Sequence, residues 1–238
     1  MLKALFLDLD ETLCDTTGAN LKARDFIADK AKAMFSNEFN SHDFANDYLT
    51  GIYKVLTDEM KEKLLPIIDE EVFRTDLLRF LFEKHKLPSV EDSIYHEFRT
   101  GFDDFRLDCF DFFPGVKELL AKLRKDFSLV VITNGPIYSQ RPKVKRVDLR
   151  NHVDHVIIGG EEPEEKPYKS IFMKACKLAD CKPNEAIHVG DSLSADIAGA
   201  ANAGVRSVWI SPDNKNDPLP DYTISNFIHI EPILEGSK

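Results

Sequence analysis

The feature that most constrains this chain is a set of short, continuously apolar runs, each stopped by polar or glycine residues. They lie at Lys3–Asp8, Ser128–Thr133, Val153–Gly159, Ala186–Val189 and Arg206–Ser211, with a weaker one at Tyr222–Ser225. Runs this short, rich in Val, Ile, Leu and Phe and without polar alternation, are strands covered on both faces. Helical patterns fill the spaces between the later ones, at Gly115–Lys125, Lys169–Leu178 and Ser194–Ala203. Strands and helices in alternation mean a parallel sheet between helical layers, so the expected class is α/β. Right-handed crossovers then bring every strand's carboxyl end to one edge, where such folds keep their ligands.

Between the first and second runs the pattern breaks. Leu21, Ile27, Met34 and Phe35 fall near helical spacing, as do Val72, Phe73, Leu77, Phe80 and Leu81. Of 17 phenylalanines, 12 lie between Phe26 and Phe112, enough for the insert to pack a helical core of its own. The expected division is 1–15 with 113–238 for the sheet domain and 16–112 for a helical module. Two crossings, around Cys14–Gly18 and Leu107–Pro114, would let that module hinge.

Composition narrows the partners. The formal net charge of −10 argues against a nucleic-acid binder, because phosphate backbones reward basic surfaces. A phosphorylated small molecule needs only a local positive site. Cys14, Cys109, Cys176 and Cys181 form no C-x-x-C pair, so reduced thiols in a cytoplasmic protein are expected, with Cys14 as core packing. No run reaches the roughly 18 apolar residues of a membrane span. The expected partner is a small phosphorylated metabolite, with no nucleic acid and no membrane, on a monomer or homodimer.

Four polar clusters end the strands. Asp8, Asp10, Glu11 and Asp15 follow the run Ala4–Leu7. Thr133-Asn134-Gly135 ends the second run, and Lys166-Pro167 follows the third. Gly190-Asp191-Ser192 ends the fourth, with Asp196 five residues after Asp191. Alone, these are a solvated cap, a turn, a helix start and an N-cap. Together on one edge they make a pocket. Asp8, Asp10 and Asp191 supply hard oxygen ligands suited to Mg²⁺. Without a cation, three carboxylates would repel and raise each other's pKa. Lys166 adds a cation, Thr133 a hydroxyl, and Asn134 and Gly135 backbone donors, which suits a phosphate monoester.

Two charged stretches read less sharply. Glu161, Glu162, Glu164 and Glu165 form either a solvated acidic loop or a field that keeps Lys166 charged. Gln140, Arg141, Lys143, Lys145 and Arg146 read mostly as helix surface, with Arg141 within reach of an anionic substrate. Arg24, His96 and Arg99 of the insert are candidate substrate contacts, with surface or insert-core pairing as the plainer reading.

The pattern D-x-D-x-T (Asp8, Asp10, Thr12), then Thr133, then Lys166, then G-D-x-x-x-x-D (Asp191, Asp196) resembles the haloacid dehalogenase superfamily. The resemblance implies a Rossmann-like parallel core with an inserted all-helical C1 cap. It implies that Asp8 is a nucleophile forming an aspartyl-phosphate and Asp10 the general acid/base. Thr133 and Lys166 would hold the phosphoryl group with backbone of Leu9, Asp10 and Asn134. Asp8, the Asp10 carbonyl and Asp191 would ligate Mg²⁺, with Asp196 and Ser192 behind them. Family dehalogenases lack the second Asp, so Asp10 favours a phosphatase. TNGPIYSQRPKV, GGEEPEEKPYKSIF and VGDSLSADIAGAANAGVRSVWI look similar to the branch that dephosphorylates N-acylneuraminate 9-phosphate, making that or a similar sugar phosphate the expected substrate. A pyrimidine 5′-nucleotidase-like activity is the alternative, ahead of a phosphomutase, which usually carries Gly where Glu11 stands, or a non-catalytic binding protein.

Overall fold

The structure, a computed structural model, describes residues 1–35, 39–67, 69–211, 213 and 219–236. In chain order the elements are β1 (Ala4–Leu7), α1 (Thr16–Phe35), α2 (Ser41–Ile52), α3 (Asp58–Leu64), α4 (Glu70–Lys84), α5 (Asp92–Cys109), α6 (Val116–Leu123), β2 (Ser128–Thr133), α7 (Ile137–Arg146), α8 (Leu149–His152), β3 (His155–Ile158), α9 (Lys169–Leu178), β4 (Ala186–Gly190), α10 (Ala198–Ala203), β5 (Arg206–Ile210), β6 (Tyr222–Ile224) and α11 (Glu231–Glu235). They fall into two compact units, Met1–Thr16 with Phe110–Lys238, and Thr17–Cys109.

The first unit holds a six-stranded sheet in the order β3-β2-β1-β4-β5-β6, with every pairing parallel. From β1 the chain winds outward through β2 and β3, then returns to β4 on the other side and winds the opposite way. The reversal lies between β1 and β4, where a doubly wound sheet opens a crevice at its carboxyl edge. Ala4 and Phe6 of β1 pack with Val130, Ile132, Ile171, Phe172, Ala175 and Ala200 in one apolar layer beneath α9 and α10. By strand alternation Asp8 continues the Ala4 and Phe6 face beyond the strand end.

Beyond β1 the backbone turns sharply. The Leu13 and Cys14 N–H groups donate to the Leu9 carbonyl at 3.0 and 2.9 Å, and Glu11 takes a left-handed φ of 59°. The outgoing and returning segments then pair: Phe113 N–H donates to Leu13 O at 2.9 Å and Asp15 N–H to Asp111 O at 3.1 Å.

The second unit is helical. Asn40, Thr57 and Asp69 cap α2, α3 and α4, each side chain accepting from a backbone N–H three residues on. Its core is aromatic: the Phe82 ring meets Phe35, Phe44, Tyr95 and Phe98 edge-on at centroid distances of 4.9–5.8 Å. Arg74 is buried in it, donating to Asp103 at 2.6 Å and to the Tyr48 hydroxyl at 3.0 Å. None of the helices described is long and apolar enough to cross a membrane.

Candidate active site

At the carboxyl edge of β1 and β4, Lys166 organises a buried cluster. Its ammonium donates to Asp8 Oδ1 at 2.5 Å and to Asp196 Oδ1 at 2.7 Å, and all three side chains are buried. The same Asp196 oxygen accepts from His188 Nε2 at 2.8 Å, and Oδ2 accepts from Ser192 N–H at 3.0 Å. Asp196 reaches this position because the turn entering α10 is widened: Asp196 N–H and Ile197 N–H both donate to Ser192 O. Gly190 gives the carboxylate its room, since a Cβ there would collide with Asp196.

The charges do not balance. Asp8, Asp191 and Asp196 each offer a carboxylate oxygen within 4.8 Å of the others, against one lysine. Burial pushes the Asp8 carboxyl up to about 8, helped by Asp196 and opposed by Lys166. Burial likewise raises Asp191 to about 6, again helped by Asp196. Burial would also raise Asp196, but Lys166 and His188 prevail and hold it below the ordinary carboxylate range. Burial alone would lower Lys166; Asp8 and Asp196 reverse that and keep it charged. Burial pushes His188 below its ordinary range, opposed by its contact with Asp196, to which Nε2 donates.

Asp10 belongs to a second cluster. Its Oδ1 accepts from Lys143 Nζ at 2.8 Å and from the Thr16 hydroxyl, and its Oδ2 accepts from Gln140 Nε2 at 3.1 Å. Burial works against ionisation, yet Lys143, Thr16 and Gln140 hold the carboxyl below its usual range. The stretch 140–146 is therefore not uniformly surface. Gln140 and Lys143 point inward; Arg141, Lys145 and Arg146 are exposed, and Arg141 pairs with Glu161 at 2.6 Å. The helical phase carries that signal: Gln140, Lys143, Val144 and Val147 fall at i, i+3, i+4 and i+7, the buried stripe of α7.

The remaining loops tie the edge together. Asn134 bridges to Lys166 through both ends of its amide, donating to the Lys166 carbonyl at 2.8 Å and accepting from its N–H at 2.9 Å. Glu165 accepts from Gly135 N–H at 3.0 Å. Glu161, Glu162 and Glu164 bond Arg141, Lys174 and Ser170, so Lys166 owes its charge to Asp8 and Asp196 rather than to that loop. Thr133 is buried behind Asn134, Leu9 lies fully buried, and Ser192 caps the widened turn by accepting from Ala195 N–H at 3.1 Å. In the helical unit His96 and Arg99 meet at 3.0 Å, with Glu71 on Arg99, whereas Arg24 bonds Asp25 and Asn46.

The profile of haloacid dehalogenase-like hydrolases matches residues 2–204, which include all four strand-end clusters. The chain belongs to this hydrolase family. It is 29% identical to human N-acylneuraminate-9-phosphatase over 240 residues, covering 99% of this chain and 94% of that one. It is 30% identical to a glyceraldehyde 3-phosphate phosphatase of Pyrococcus furiosus over 242 residues, covering 98% and 93%. Its fold matches a magnesium-bound HAD hydrolase of Bacillus subtilis with a TM-score of 0.70 at 21% identity, covering 98% of both chains.

The donor set of this hydrolase fits the divalent cation its family implies. Three carboxylates at one strand edge, two with raised pKa values, are an excess of hard, negative oxygen ligands that a divalent cation would neutralise. Beside them a cleft of about 430 Å³ is lined by Glu11, Thr12, Asp191, Trp209 and Phe227. The Trp209 indole fixes the Asp191 backbone by donating to its carbonyl at 2.7 Å.

Proposed function

We propose that the chain is a Mg²⁺-dependent phosphatase of a small phosphorylated metabolite, working through an aspartyl-phosphate on Asp8. The observation that carries this reading is the pair of acids two residues apart at the sheet's reversal, each tied to its own lysine: Asp8 to Lys166 and Asp10 to Lys143. Asp8 is the nucleophile, and Lys166 steadies it and offsets charge on the phosphoryl oxygens. Asp10, ionised in the free site, takes up a proton as the ester binds, gives it to the leaving alkoxide and takes one from the attacking water, so both in-line steps use one side chain. Thr133, with backbone groups of Leu9, Asp10 and Asn134, binds the phosphoryl group. Asp8, Asp191 and the Asp10 carbonyl would hold Mg²⁺, with Asp196 and Ser192 behind them. When bound there, the ion supplies positive charge against the negatively charged phosphoryl group.

The helical unit, Thr17–Cys109, acts as a C1 cap hinged at its two crossings. The likeness to N-acylneuraminate-9-phosphatase along nearly the whole chain supports a phosphorylated sugar acid or similar sugar phosphate as substrate. The likeness to glyceraldehyde 3-phosphate phosphatases supports a second reading, a shorter phosphorylated aldose.

The test is phosphate release, with Mg²⁺ or excess chelator, from N-acylneuraminate 9-phosphate, glyceraldehyde 3-phosphate, pyrimidine nucleotides and hexose phosphates. Mg²⁺-dependent release that Asp8→Asn abolishes is expected. Equal background from the wild type and Asp8→Asn on every ester would sink the proposal.

A further inference from the structure

We infer that Lys143, with Gln140, is the positioning residue for Asp10, fixing the direction in which the acid/base carboxylate faces. The inference rests on the assignment of Asp10 made above. Lys143 is a charged side chain only 7% exposed, and burying an ammonium is costly unless it is paired. Among the described residues, the ion pair it makes is with Asp10. Its ammonium also lies 5.5 Å from the centre of the Phe110 ring. Gln140, one turn earlier on α7, holds the other Asp10 oxygen and at the same time donates to Asn134 O at 2.9 Å. Carboxylate torsions are broad and nearly two-fold, so an Asp without such donors would sample several directions. Here α7 grips both oxygens and ties that grip to the Thr133–Gly135 loop. The chain places a second buried lysine on one acid, outside the Asp8–Lys166–Asp196 cluster, and among the described residues Asp10 is the carboxylate it pairs with.

A residue that acts only through Asp10 has a kinetic signature that a merely structural residue lacks. With an alkyl phosphate, the ester O–P bond breaks as the Asp8 O–P bond forms, and the departing alkoxide needs the Asp10 proton. With p-nitrophenyl phosphate the leaving oxygen departs as a stable anion, so this first step needs no proton. In the second step water attacks phosphorus, the Asp8 O–P bond breaks, and Asp10 takes the water proton in both cases. Lys143→Met is therefore expected to lose about 100-fold or more in kcat on an alkyl phosphate, with KM little changed. On p-nitrophenyl phosphate it should show a burst of one nitrophenolate per enzyme followed by slow turnover. In a double-mutant cycle, Lys143→Met placed on Asp10→Asn should cost nothing further. Gln140→Leu should show the same pattern more weakly, and carries the test if Lys143→Met does not fold. Lys145→Met, exposed on the same helix, is the control for α7 itself.

Equal losses in the rate of the first step on the two esters, no nitrophenolate burst from Lys143→Met, additive losses in the cycle, or wild-type kinetics from a folded Lys143→Met would each overturn the inference. Wild type that releases no phosphate from any ester overturns the phosphatase reading and this inference with it. Wild type that is active beside a dead Asp10→Asn and an unaffected Lys143→Met overturns this inference alone.

Discussion

Lys166 and Lys143 show how a single position can be plain or hidden in a sequence. Lys166 precedes a proline after an apolar strand, and its place at the sheet edge follows from strand count alone. Lys143 sits in a run of cations where neighbours look alike, and only the phase of α7 separates it from Lys145. His188 was hidden too. It is one polar residue inside the strand AIHVG, fully buried, and its contact with Asp196 depends on a turn eight residues later that no local pattern specifies. These placements have energetic consequences. Removing the Lys166 ammonium leaves Asp8 and Asp196 buried without their cation. Lys166→Met is expected to abolish phosphate release and to cost about 3–5 kcal/mol in urea unfolding. A variant as stable as the wild type would mean that the two acids shed their charge at little cost.

At the scale of elements, β1, β2, β4 and β5 were legible because both their faces are covered, so their sequences are nearly continuously apolar, whereas the largely exposed β6 gave a weaker pattern. The helical unit was legible as helical from its spacing and its phenylalanines, but not as a particular packing. Which ring sits at the centre depends on how α1, α2, α4 and α5 come together. Phe82, edge-on to four other rings, is that centre, and Phe82→Ala is expected to cost about 3–5 kcal/mol by denaturant unfolding. An exposed apolar control such as Val72→Ala should cost far less. Asp47 of α2 links to the end of α4 through Lys84 and His85, both at 2.7 Å. Burial opposes its ionisation, but these two partners hold the carboxyl below its ordinary range. A depressed carboxylate adds stability that is complete above the unfolded pKa and is lost as pH falls through the folded one. Asp47→Asn should therefore lower Tm slightly at pH 6, and the gap should close below about pH 4. A gap unchanged at pH 3 would assign the effect to packing rather than charge.

At the scale of the whole molecule, the excess of carboxylates at the sheet edge makes stability depend on what is bound there. A cation that binds the folded state alone stabilises it by about 2.7 kcal/mol at one hundred times its dissociation constant. Millimolar Mg²⁺ is expected to raise the Tm of the wild type and to have little effect on Asp191→Asn. Equal shifts in both would place the ion elsewhere. The excursion between β1 and β2 has a different consequence. Its outgoing and returning strands are joined to each other by backbone hydrogen bonds at 13–15 and 111–113, so both ends of the insert leave from one clasp. The entropy of closing a loop grows only slowly with its length. Whatever is threaded between those ends behaves as a cassette: it can be pruned, lengthened or exchanged for another while the strands on either side keep their register, and the history of the insert can be independent of the history of the sheet.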